Sequence, residues 1–374
     1  DKILVTLGSD QVSSETWIDH NQDGLFQPTD LSRSVTVDDT TGDRTATSWT
    51  RNADGTFSAK SVSVSSEDGL IISTEMDVDG DGDTDLSVND TTVEAVDGTS
   101  TRTVTERAQD DTLISERVVS TSADGLIVTT LSDEDGDGAA DGRSVSMSTS
   151  HADGSVTRVV QKYAGDEATL LSETTVTQSG DRRTTETVVD ANGDGFNDVV
   201  TVANIHDDGS VTEVETRLSA DGDTLFEQKT DVSDDGLTTA IATDLDGDGN
   251  TDGTTIQETA LTADGGRTTT SRVENGDATL RSQLVVTTSD DDLVVTTWTD
   301  ADGDGIYERS VTSTTELKAD GSRETTEDVT SSDGTLLTRT QTIVGDGGLE
   351  EENREDTDGD RAADIITTSV TTLN

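Results

Sequence analysis

The sequence predicts an all-β protein. It reads as tandem repeats of about 56 residues, each a four-stranded antiparallel meander, joined in an extended β array stapled by calcium. Three observations predict this. A nine-residue acidic loop recurs seven times at a nearly fixed interval, and a fixed period means a repeat architecture. Between the loops, short stretches rich in Thr, Val and Ser alternate with Asp-Gly turns, and no stretch shows helical periodicity. Hydrophobic residues are only 29% of the 374-residue chain and aromatics 2%, against roughly 45–50% apolar in ordinary domains. Such a chain is either disordered or held by something other than a thick core. The regular strands and the seven loops favour the second reading.

The loop is plainest at 244–252, D-L-D-G-D-G-N-T-D. Carboxylates stand at positions 1, 3, 5 and 9, and Gly249 is at position 6. Alternate side chains of a tightly curled loop point at one centre. Oxygen ligands suit a hard cation such as Ca²⁺, and glycine permits the bend that closes the loop. The predicted metal ligands are Asp19, Asn21, Asp23 and Gln27 in the first loop, and Asp77, Asp79, Asp81 and Asp85 in the second. They continue as Asp133, Asp135, Asp137 and Asp141, then Asp190, Asn192, Asp194 and Asp198. The last three sets are Asp244, Asp246, Asp248 and Asp252; Asp300, Asp302, Asp304 and Glu308; and Asp356, Asp358, Asp360 and Asp364. Successive loops start 58, 56, 57, 54, 56 and 56 residues apart.

Taken in order, residues 1–18 carry two short strands, Ile3–Leu7 and Ser14–Ile18, as a cap. Repeats follow at 19–76, 77–132, 133–189, 190–243, 244–299 and 300–355, with a partial repeat at 356–374. The first loop is irregular: Asn21 and Gln27 replace acids, His20 lies inside it, and the sole proline, Pro28, lies just beyond. Repeat 133–189 shows the plan, with strands over 144–150, 155–163, 169–178 and 184–190. The turns between them contain Asp153-Gly154, Gly165-Asp166 and Gly180-Asp181. Asp-Gly also recurs at 54–55, 68–69, 97–98, 124–125, 208–209, 221–222, 235–236, 264–265, 320–321 and 333–334. It supplies the positive φ that tight hairpins need. Counted through, the chain has about 27 strands. In the last loop Arg361 stands where the glycine belongs, which predicts a distorted or weak site.

The loops are not EF-hands. An EF-hand needs a bidentate Glu at position 12 and helices on both sides. Position 12 here is Asp30, Val88, Ser144, Thr201, Thr255, Val311 or Thr367, and the flanks read as strands.

The formal net charge is −56. Nucleic acid and anionic membrane surfaces would repel such a chain. Self-repulsion should open the fold unless cations neutralise it; seven Ca²⁺ would bring −56 to −42. The acidic surface of a halophile is a rival account of the charge, but not of its spacing. There is no cysteine. Extracellular Ca²⁺ fills weak sites of roughly 10⁻⁴–10⁻³ M, whereas cytosolic Ca²⁺ is scarce, so the expected location is the cell exterior or surface. No apolar run approaches the length of a membrane span. The start, DKILVTLGSD, does not read as a signal peptide and suggests a mature fragment or excised segment. His20, His151 and His206 are scattered and read as surface residues. Trp17 and Trp298, each two residues before a loop, read as packing behind it, with sugar stacking as the alternative. No catalytic constellation is visible, so no enzyme is expected.

The stretches TSADGLIVTTLSDEDGDGAAD, HADGSVTRVV and ATLLSETTVT resemble the long calcium-binding repeat arrays of giant secreted alphaproteobacterial proteins, often grouped with RTX-type adhesins. The resemblance covers nearly the whole chain and implies export and a surface or matrix role. The RTX nonapeptide G-G-x-G-x-D is absent. The loops are also similar to those of thrombospondin type 3 and FG-GAP/VCBS repeats. The FG-GAP/VCBS likeness implies an alternative fold, a seven-bladed β-propeller binding a glycan or protein. The leading expectation is a structural, adhesive element of an extracellular fibre, biofilm matrix or filament, rigidified by Ca²⁺. Its expected partners are further copies of itself, adjoining repeats, and cell-surface glycans or matrix.

Overall fold

Threonine, valine and serine fill the strands, and their branched or short side chains fit a pleated surface. In the computed structural model they form 27 strands and no helix among the described residues, which are 3–9, 12–19, 25–27, 31–38, 40–51 and 56–371. His20, Asn21, Asp23, Pro28, Asp30 and the turn at 54–55 lie outside them. The strand limits follow the sequence reading closely: Gly142–Ser150, Val156–Ala164, Leu170–Gln178 and Thr184–Asp190 in the repeat analysed above.

The chain divides into two units, Asp1–Thr177 with Val189–Gly195, and Gln178–Val188 with Phe196–Asn374. In the first, consecutive strands from Ile3–Leu7 to Val156–Ala164 pair antiparallel, each with the next in sequence. In the second, the same holds from Val199–Ile205 to Ile365–Val370. Each unit is therefore an open antiparallel meander.

Pairing runs straight across the acidic loops. Ile71–Asp77 pairs with Leu86–Glu94 in the first unit, and Thr238–Asp244 with Gly253–Leu261 in the second. A propeller would segregate its strands into separate blades. The propeller alternative is not formed, because the ladder does not break at the loops.

Strands touch their neighbours in sequence and hardly anything else. Each unit is thus one layer thick, and only Val35, Val145 and Val329 are buried apolar side chains among the described residues. Cross-strand hydroxyl pairs replace apolar packing, as between Thr259 and Thr269 or Thr315 and Thr325, each 3.1 Å.

Four strands separate one acidic loop from the next, so strand direction returns to its starting sense. Within each unit the loops consequently emerge on one side of the sheet. The tight turns use a left-handed glycine after a right-handed Asp: at Ser122–Gly125, Gly125 has φ 72° and donates to Ser122 O at 2.8 Å. The Asp124 carboxylate accepts from Leu126 N at 3.0 Å and from Ser122 Oγ at 2.6 Å. Other turns place Asp111, Glu167, Arg182, Ala278 or Asp292 in the left-handed region instead. At the turns containing Gly165-Asp166 and Gly180-Asp181 the positive φ thus falls on Glu167 and Arg182, not on the glycine; short hydrogen-bonded turns tolerate this.

Candidate metal centres

The six acidic loops from Asp77 onward are each built on their first carboxylate. In the loop at 244–252, Asp244 Oδ1 accepts from Gly247 N at 2.7 Å and Oδ2 from Gly249 N at 2.8 Å. The same pair of bonds recurs on Asp77, Asp133, Asp190, Asp300 and Asp356. The third residue then accepts from the fifth residue's N–H, and the fifth from the seventh's: Asp248 N to Asp246 at 3.2 Å, and Asn250 N to Asp248 at 2.8 Å. The ninth closes the ring, Asp252 Oδ2 accepting from Leu245 N at 2.7 Å. Main-chain donors thus shape the loop before any cation is considered.

Six first-position acids, Asp19, Asp133, Asp190, Asp244, Asp300 and Asp356, are buried, with exposures from 1% to 8%. Burial raises the carboxyl pKa of Asp244, but the N–H groups of Gly249, Gly247, Asp246 and Asp248 outweigh it and hold it below the usual range. Asp190 behaves alike through Gly195, Gly193, Asn192 and Asp194. At Asp356 burial and the Asp364 charge raise the pKa, and Arg361, Gly359 and Asp358 N–H groups bring it down. These acids are anions at neutral pH.

Carboxylate oxygens converge to within 4.8 Å of one another at five loops. The groups are Asp77, Asp79 and Asp85; Asp133, Asp135 and Asp141; Asp244, Asp246 and Asp248; Asp300, Asp302, Asp304 and Glu308; and Asp356, Asp358 and Asp360. Ca²⁺ sits about 2.3–2.6 Å from its ligands, so ligands on opposite sides of it lie roughly 4.6–5.2 Å apart. The donor set, all carboxylate oxygen, fits a hard divalent ion. Asp81, Asp137, Asp252 and Asp364 do not join these groups at that distance. Asp252 and Asp364 instead accept from Leu245 N and Thr357 N at 2.7 and 2.8 Å. The longer Glu308 both accepts from Ala301 N at 2.9 Å and reaches the group. In the first loop Asp19 is buried and Gln27 exposed. The fourth loop is divided between units, Asp190–Gly195 in the first and Asp198 in the second.

In the last loop Arg361 adopts φ 72° and its N–H donates to Asp356 Oδ2 at 2.7 Å, so the backbone bend is kept without glycine.

Two features escaped the sequence reading. Gly80, Gly136, Gly193, Gly247, Gly303 and Gly359 hold position 4 with positive φ. A Cβ there would overlap a backbone carbonyl of the preceding hairpin, Thr224 O in the case of Gly247. At position 6, by contrast, Gly82, Gly138, Gly195, Gly249 and Gly305 face open space. The repetition of glycine at position 4 was the available signal. The second feature is the residue directly opposite the first acid: Lys60 for Asp77, Glu116 for Asp133, Glu227 for Asp244, Gln283 for Asp300 and Arg339 for Asp356. Each lies 17 residues before its loop, a spacing that acquires meaning only once the register is known.

The remaining candidates are peripheral. His151 and His206 are exposed and bond Thr157 and Thr212 hydroxyls at 3.0 and 2.9 Å. Trp17 and Trp298 are half-buried on their strands.

No protein-family model and no curated protein matches the chain. Among solved structures it is similar to TcdB2–TccC3, at 9% identity and TM-score 0.25, covering 91% of this chain and 22% of that one. It is also similar to the Photorhabdus luminescens Tc holotoxin pore, at 10% identity and TM-score 0.17, covering 91% and 21%. The chain spans about a fifth of the length of those proteins. Likenesses this low carry no argument about function.

Proposed function

We propose that the chain is a calcium-binding structural repeat protein of an extracellular fibre, matrix or surface adhesin. The observation that carries this reading is the crowding of carboxylate oxygens within 4.8 Å at five loops, on a scaffold with three buried apolar side chains among the described residues. Glu116 opposite Asp133 and Glu227 opposite Asp244 add to the crowding, and like charges directly opposite destabilise a sheet. A divalent cation relieves both. An ion present at 100 times its dissociation constant contributes about 2.7 kcal/mol per site, a sizeable share of the roughly 5–15 kcal/mol that holds an ordinary domain together. Millimolar Ca²⁺ outside the cell suits loops of this kind. The role is mechanical rather than enzymatic: the ions stiffen the meander, and free edges join further copies or adjoining repeats, with glycans or matrix as the surface engaged.

Titration calorimetry and thermal melting with and without chelator test the reading. About seven ions should bind, one per loop, and excess chelator should lower the melting temperature markedly. The double substitution Asp246→Ala with Asp248→Ala should remove one ion and raise hydrogen exchange only in the flanking strands. One ion or none per chain, or melting indifferent to chelator, would sink the proposal.

A further inference from the structure

The second acidic loop differs from the others in what stands beside it. Asp77 is half-buried, whereas the first acids of the other six loops are buried. Next to it, inside the first unit, is a hollow of about 240 Å³ whose wall includes Trp49, Phe57, Lys60, Glu75, Asp77 and Asp83. Drug-sized ligands occupy roughly 300–1,000 Å³, so this space suits one small ring. Register places Trp49, Lys60 and Asp77 in one row on one face of three adjacent strands. The corresponding rows elsewhere read Thr105–Glu116–Asp133, Thr216–Glu227–Asp244, Arg272–Gln283–Asp300 and Asp328–Arg339–Asp356. Phe57 supplies the carbonyl under Gly80, a place taken by Leu113, Leu170, Thr224, Leu280 or Leu336 at the other loops. Both aromatic rings therefore belong to this loop alone among those described. Around them, the Lys60 ammonium and the Glu75 and Asp83 carboxylates make no hydrogen bond or ion pair with described residues.

We propose that this hollow is a saccharide subsite for a neutral pyranose. A sugar ring has one apolar C–H face and a rim of hydroxyls that both donate and accept. The half-buried Trp49 indole offers a flat apolar surface, and Phe57, 45% exposed with the Arg51 guanidinium stacked 4.1 Å from its ring centroid, closes the hollow beside it. Lys60 donates to a hydroxyl oxygen, while Glu75 and Asp83 accept hydroxyl protons. An anionic sugar would meet the acids of the loop, and a cationic ligand would meet Lys60. The alternation of donor and acceptor beside an aromatic face selects a neutral polyol. The inference rests on the calcium reading only in that the ion would hold the loop wall, which includes Gly80, Gly82 and Asp83.

The test uses the full chain in millimolar Ca²⁺ with methyl α-glucoside, methyl α-mannoside and methyl β-galactoside as probes. Saturation-transfer NMR should show binding of at least one. Trp49→Ala should weaken that binding at least tenfold, and the exposed-site change Glu75→Ala, which threatens no packing, about fivefold. Trp298→Ala in the second unit should leave it unchanged. Calcium binding, read separately by calorimetry, distinguishes the two proposals. Calcium bound with none of the three sugars overturns the subsite alone. Sugar bound without calcium supports the subsite and overturns the calcium reading. Sugar binding that survives both Trp49→Ala and Glu75→Ala overturns the subsite.

Discussion

The loops at Asp244 and Asp356 lie in the same unit and share the same main-chain bonds, yet their surroundings carry opposite charge. Asp244 faces Glu227 across the sheet. Asp356 faces Arg339, which also clamps Asp328 through two bonds of 2.5 and 2.6 Å, and has Arg361 at position 6. The common part shows that loop shape comes from the chain's own N–H groups and from the glycine at position 4. The differing part shows that appetite for a cation is set separately, by residues outside the nine. At Asp356 the Arg339 guanidinium already supplies part of the neutralisation that at Asp244 only an ion would supply.

The strongest way to break the comparison is to remove what the two loops share. Gly247→Ala and Gly359→Ala each drive a Cβ into a backbone oxygen, of Thr224 and Leu336. Each should destabilise its hairpin by about 3 kcal/mol and abolish the local ion, with equal effect at both loops in hydrogen exchange. A change that is severe at one loop and silent at the other would contradict the shared frame.

Exchanging what differs is the next step. Glu227→Arg should weaken calcium at Asp244, and Arg339→Glu should strengthen it at Asp356. Each shift should be about tenfold in Kd, equivalent to about 1.4 kcal/mol, for a charge reversal near a surface site. Site-resolved calcium titration by NMR reads both. Shifts of the same sign at the two loops would refute the electrostatic account.

Position 6 should matter less. Gly249→Ala places a side chain in open space at φ 85° and should cost about 1 kcal/mol. Arg361→Gly should gain a similar amount. Thermal melting of the two variants in chelator isolates this term from the ion.

The smallest contrast is expected with pH. The carboxyls of Asp244 and Asp356 both titrate below the ordinary 3.8 in the folded chain, and the turn residue Asp333 is drawn down to about 2 by Ser331 and Thr335. A depressed folded pKa means that the unfolded chain binds protons first as pH falls. The stabilisation is complete above the unfolded value near 3.8 and disappears as pH falls toward 2, in the same direction for both loops. Acid titration followed by circular dichroism should show this monotonic loss, and greater stability at pH 2.5 than at pH 5 would contradict it.

Much of this could be read from the residues. The alternation of Thr and Val with Asp-Gly turns located most strands to within two residues, as at Thr184–Asp190. The last strand runs Ile365–Val370, inside the partial repeat at 356–374. The spacing of acids identified the converging carboxylates of Asp300, Asp302, Asp304 and Glu308 in full. What stayed hidden depends on register. Glu227 and Arg339 look like ordinary strand residues until pairing sets them opposite an acid. Gly247 looks interchangeable with Gly249 until Thr224 O is found against it. Arg361 looked disruptive because sequence shows the missing glycine but not the bond to Asp356 that retains the bend.

One consequence follows from strands that touch only their neighbours in sequence. The partner of Asp133 is Glu116 and that of Val128 is Thr121, so contacts close over chain segments of twenty residues or so. Short closures carry little entropic penalty and are found fast. Assembly can then proceed hairpin by hairpin in whatever order the chain becomes available, each new strand needing only the one already laid down. Damage obeys the same rule: a lost hairpin exposes an edge, but leaves more distant strands with every partner they had.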